Sequence, residues 1–189
     1  KSEIKEQENR KGLITRSIIL RALEGEELIV VKPNYVEEKD ADMVEYFILN
    51  IKECFKYNYN IDIKVIEENK LTEKDKKQNL ILIGYPKQHS IMKEMSKDLP
   101  VNIYSDKIEV KGLSVVNEGL KGTFIAKNPN NLERLVLLIF LDKDRVLKND
   151  SDLEWPVSEG IDEYNPMNQW GEDSQFIINI DDIEIRGMY

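Results

Sequence analysis

The chain holds one histidine, His89, and one cysteine, Cys54, and a hydrolytic reading would use His89 with Ser90 or a nearby carboxylate. Any Ser–His or Cys–His mechanism must use His89. It sits in Gly84-Tyr85-Pro86-Lys87-Gln88-His89-Ser90, just ahead of a helical pattern, where a neutral imidazole could act as a base. Ser90 beside it reads more simply as a helix N-cap. No G-x-S-x-G elbow occurs in the chain, so His89 and Ser90 stand as catalytic candidates that capping and surface roles explain as well. Cys54 falls in the apolar stripe of a helix and reads as a small core hydrophobe. One histidine and one cysteine cannot build a zinc cage. Asp142-Lys143-Asp144 and Asp150-Ser151-Asp152 offer oxygens but fit no twelve-residue calcium loop. No metal is expected. G-x-G-x-x-G and G-x-x-x-x-G-K-[ST] are both absent, and no cofactor is expected.

The elements that would position these residues follow from periodicity. Leu80-Ile81-Leu82-Ile83 is an unbroken apolar run, as in a strand buried on both faces. Gly84 lets the chain turn, and Pro86 delays the helix that follows, His89–Leu99, whose Ile91, Met92, Met95 and Leu99 share one face. Upstream, Gly12–Glu24 suggests a short helix ending near Gly25, and Glu27–Lys32 a buried strand ended by Pro33. Asp40–Tyr57 is the clearest helix, capped by Asp40. Ile61–Ile66 alternates as a more exposed strand, and Thr72 with Asp75 resembles a capping box. Short strands are expected between Val101 and Ala126. Leu135–Leu141 is apolar enough to be central, and a terminal strand pair is expected over Phe176–Arg186.

These elements predict an α/β fold: a three-layer sandwich with a mostly parallel central sheet, Rossmann-like or flavodoxin-like, extended by β hairpins. Residues 1–11 read as a linker or frayed terminus and residues 12–189 as one domain. Within it, 142–175 is a long irregular segment carrying Trp155 and Trp170, which would pack it or line a groove. A chain opening at Lys1 rather than Met reads as a mature or excised piece.

The 189 residues carry a net charge of −9, which disfavours phosphate backbones and anionic membrane surfaces. No apolar run approaches the ~20 residues of a membrane span. Neither nucleic acid nor membrane insertion is expected.

In open α/β sheets, ligands bind beyond the carboxyl ends of the strands. Three loops follow buried strands: one with Asn34 and Tyr35, one with Gly84, Tyr85, Lys87 and His89, and one with Asn128, Asn130 and Asn131, with Arg134 just beyond. If those strands are parallel neighbours, the loops share one rim able to hold a polar or anionic ligand. The plainer alternative is that Asn, Pro and Gly are simply what turns are made of.

Gly12-Leu13-Ile14, Arg21-Ala22-Leu23 and Leu28-Ile29-Val30-Val31 resemble a run that follows the catalytic module in predicted secreted bacterial esterases and peptidases of the α/β-hydrolase, prolyl-oligopeptidase-like kind. Asn79–Pro86 and Asn128–Arg134 are similar to patterns in the accessory α/β domain of those proteins. Lys32-Pro33-Asn34 stands where that domain has a tight glycine turn, and 142–174 has no counterpart. The resemblance implies an accessory role without hydrolysis, because the nucleophile of such proteins lies in the other module. It also implies an extracellular or cell-surface location and a peptide, glycan or neighbouring hydrolase domain as partner. The expectation is therefore a non-catalytic binding domain. The alternatives are a hydrolase using His89 as base and a protein–protein interaction scaffold.

Overall fold

The computed structural model describes residues 17–36, 38–84, 89–99, 101–104, 107–110, 112–116, 121–140, 176–180 and 183–187. The expected terminus at 1–11, the 142–175 segment with its two tryptophans, and the candidates Tyr85 and Lys87 lie outside these.

Helix α1 (Ser17–Leu23) leads to strand β1 (Leu28–Lys32), and helix α2 (Glu38–Tyr59) to β2 (Lys64–Glu67). Two 3-10 turns, Glu68–Lys70 and Asp75–Lys77, then lead to β3 (Asn79–Ile83), and α3 (Ser90–Met95) follows. The remaining strands are β4 (Val101–Ile103), β5 (Lys107–Val110), β6 (Leu113–Val116), β7 (Lys121–Asn128), β8 (Asn131–Phe140), β9 (Phe176–Ile180) and β10 (Ile183–Gly187).

The main sheet runs β10-β9-β7-β8-β3-β1-β2. β2, β1, β3 and β8 are mutually parallel, and β7 lies antiparallel against β8. β9 and β10 add an antiparallel hairpin beyond β7. The core of the sheet is thus mostly parallel, and β1 lies between β2 and β3, the flavodoxin-like order. The hairpin strands β4, β5 and β6 do not extend this sheet; they pair with one another in a second, three-stranded one.

Alternation along the strands builds two cores. Val30, Ile81, Ile83, Leu137 and Ile139 face α1 and α2, meeting Ile18, Val44, Phe47, Ile51 and Phe55. Val31, Leu80, Leu82, Val136 and Leu138 face the other way, onto Ile91, Met92 and Met95 of α3. Two layers of helix around one sheet explain why β1 and β3 are apolar at consecutive positions. β2 is an edge strand with intermediate and exposed positions; it starts at Lys64, three residues later than the expected Ile61–Ile66, and Ile61 and Ile63 pack on the larger core ahead of it.

The ends of the elements show how local chemistry sets them. After α1, Gly25 takes φ +84°; its N–H donates to the Ala22 carbonyl (3.0 Å) and that of Glu26 to Arg21 (3.1 Å), a Schellman stop. Helix α2 starts two residues before Asp40, so Asp40 lies inside the helix and is not its cap. Gly84 takes φ +138° as β3 ends, and its N–H donates to the Ile139 carbonyl of β8.

Candidate functional site

At the carboxyl ends of β1 and β2, against the first turns of α2, lies a pocket of about 310 Å³. Lys32 ends β1, Pro33, Asn34 and Val36 continue from it, Ala41 and Glu45 come from α2, and Glu67 and Asn69 come from the exit of β2. Lys32 Nζ donates to Glu45 Oε1. Asn34 Oδ1 accepts the Asn69 N–H at 2.7 Å, which ties the loop after β1 to the exit of β2. Glu67 pairs with Lys70 at 2.8 Å, and the Lys70 hydrogen bond, joined by the nearby charge of Lys32, holds its carboxyl below the ordinary range. The pocket therefore carries ammonium, carboxylate and amide groups on two adjoining walls. Asn34 was legible as a rim residue. Lys32, Glu45, Glu67 and Asn69 were missed, although β2 is parallel to β1 and the rule that selected the loop after β1 applies equally to the loop after β2. Tyr35, 65% exposed, stands outside the pocket lining.

His89 is buried and committed. Its Nε2 lies 2.8 Å from the Ile83 carbonyl, which can only accept, so Nε2 carries the proton of that bond. Its Nδ1 lies 3.7 Å from Glu68 Oε1 and makes no hydrogen bond. Glu68, in the first 3-10 turn, accepts from Ser90 Oγ (2.9 Å) and from the Ile91 N–H. Burial works against the Glu68 charge, but the positive His89 ring when Nδ1 also carries a proton, the Ile91 amide and the Ser90 hydroxyl outweigh it and hold the carboxyl below its ordinary range. Ser90 is thus the first residue of α3 and not its N-cap. His89 occupies the cap position without a side-chain capping bond, and the capping acceptor comes from Glu68, 23 residues before Ile91. Ser90 Oγ hydrogen-bonds to Glu68 and His89 presents Nε2 to backbone, so the serine–histidine hydrogen bond of a nucleophile pair is not formed.

The expected single rim divides. β8 is parallel to β3, and the Asn128–Asn131 turn precedes β8, so it lies at the amino ends of the parallel strands. Asn128 is fully buried, and its Nδ2 donates to the carbonyls of Lys76 (2.9 Å) and Gln78 (2.8 Å), just before β3. Asn130 N–H donates to Asn128 Oδ1, and Asn131 Nδ2 donates to the Lys77 carbonyl. Arg134 Nη1 pairs with Glu26 at 2.7 Å, beside Asn79, whose Nδ2 donates to the same carboxylate at 3.0 Å. The four candidates Asn128, Asn130, Asn131 and Arg134 therefore belong to a structural latch at the opposite end of the sheet from Asn34 and Gly84. Hairpin pairing of β7 with β8, rather than a crossover, put the loop at that end.

Cys54 packs partly buried against the larger core; burial pushes its thiol up, opposed by the hydrogen bond from Asn58 Nδ2 at 3.2 Å. Among the described residues, no group of three His, Cys, Asp or Glu could hold a metal ion, and no helix is long and apolar enough to cross a membrane.

No protein-family model matches this chain, and no curated protein matches it.

Proposed function

We propose that this chain is a non-catalytic binding domain whose ligand face is the pocket at the carboxyl ends of β1 and β2, and that it serves as an accessory unit in a secreted or surface bacterial protein. The observation that carries this is the placement of the sole histidine: its fully buried ring spends Nε2 on the Ile83 carbonyl and lies outside the lining of the pocket, which supports recognition there over acid–base catalysis. The pocket supports recognition because it gathers polar groups from β1, α2 and the exit of β2 beyond the carboxyl ends of the parallel strands, next to the switch point between β1 and β3. The hydrolase attachment rests on the sequence resemblance alone. The test is hydrolysis of a model ester and a model peptide. Wild type is expected to match a buffer blank. Turnover abolished by His89→Ala in a protein that still folds would establish the hydrolase alternative instead.

A further inference from the structure

We propose that the pocket between β1, α2 and the exit of β2 takes a small zwitterion bearing an ammonium and a carboxylate, the class of free amino acids and short peptides with unblocked ends; this rests on the binding-domain reading above. Its volume of about 310 Å³ sits at the lower end of the ~300–1,000 Å³ of small-molecule sites, which sets the size of the occupant. Its chemistry is bipolar. Lys32 Nζ and the Asn34 amide supply donors: Asn34 Oδ1 is taken by the Asn69 N–H, which leaves its Nδ2 as the group a ligand carboxylate would meet. Glu45 and Glu67 supply acceptors for an ammonium.

The charges already present neutralise one another in half-exposed pairs, Lys32 with Glu45 and Glu67 with Lys70. Such pairs are weak and rearrange at little cost. An anion alone would meet two carboxylates, and a cation alone would meet Lys32. A zwitterion can insert its carboxylate at Lys32 and its ammonium between Glu45 and Glu67, so that every charge keeps a partner. A neutral sugar would leave the charged pairs as they are and gain only hydrogen bonds at the rim.

The experiment is an NMR titration of the full chain with dialanine, the same dipeptide blocked at either end or at both, and a neutral disaccharide. Saturable shifts at the amides of Lys32, Asn34 and Asn69 are expected with dialanine, about tenfold weaker once either end is blocked. Lys32→Met is expected to erase discrimination against the carboxyl-blocked peptide, and Glu67→Gln to weaken discrimination against the amino-blocked one, both in proteins with unchanged spectral dispersion elsewhere. Equal binding of the doubly blocked peptide, or no binding of any peptide, overturns the zwitterion. Disaccharide binding at the same amides also overturns it, while the domain remains a binding domain. Cleavage of dialanine to free alanine would overturn the binding-domain reading itself.

Discussion

Asn79 Oδ1 accepts the N–H of Leu135 at 2.9 Å, so a buried asparagine at the start of β3 ties that strand sideways to β8. Its Nδ2 donates to the Glu27 carbonyl at 3.2 Å and to Glu26 at 3.0 Å, and one side chain thereby joins β8, β3 and the entry to β1. Asn79→Leu keeps a side chain of similar size but leaves the Leu135 N–H and the Glu27 carbonyl without these partners. A loss of about 2–4 kcal/mol is expected in urea unfolding. An unchanged midpoint would mean that the three-way tie contributes nothing.

Glu68 caps α3 from a distance, through an acceptor oxygen that glutamine keeps and alanine lacks. Glu68→Ala removes the acceptor of the Ile91 N–H and is expected to destabilise by about 1–3 kcal/mol. Glu68→Gln retains a carbonyl oxygen at the same reach and is expected to cost less than the alanine variant. Hydrogen exchange at the Ile91 amide checks this locally: faster exchange in the alanine variant than in the glutamine variant.

Acid sensitivity has a defined source in Asp75. Its carboxylate accepts the Thr72 hydroxyl at 2.6 Å and the Thr72 N–H at 3.0 Å, with Lys64 at 3.1 Å, and these hold its pKa down from 3.8 to about 2. A folded value below the unfolded one stabilises the fold above pH 3.8, and that contribution disappears as pH falls through about 2. The stability difference between wild type and Asp75→Asn is expected to be largest near neutral pH and to shrink steadily from pH 4 to pH 2. A difference that does not change over that range would contradict it.

At the end of α1, Gly25 holds φ +84° with open space where a Cβ would sit. Gly25→Ala is therefore a backbone test free of steric clash. A loss of about 1 kcal/mol is expected in thermal unfolding, from placing an L side chain in the left-handed region.

Much of this architecture was legible in residue order, and the reasons are local. Leu80–Ile83 is apolar at four consecutive positions because helices cover both faces of β3. Gly25 announced its helix stop, and Thr72 with Asp75 announced a reciprocal cap, since both devices close within a few residues. Strand direction was not legible: the apolar run Leu135–Ile139 looks the same whether a crossover or a hairpin delivers it. That ambiguity placed Asn128–Asn131 with Asn34 when the pairing of β7 with β8 carries them to opposite ends. Glu68 was missed because its partners at Ser90 and Ile91 are 22 and 23 residues away, beyond any local pattern.

The most direct measurement is the location of amide shift changes when a mixture of short peptides is added to the isotope-labelled chain. The changes are expected to cluster at Lys32, Asn34, Glu45, Glu67 and Asn69, at the carboxyl ends of β1 and β2, and to leave Asn128, Asn131 and Arg134 unmoved. Changes centred on the Asn128–Asn131 turn, or none at either end of the sheet, would contradict a recognition pocket in that place.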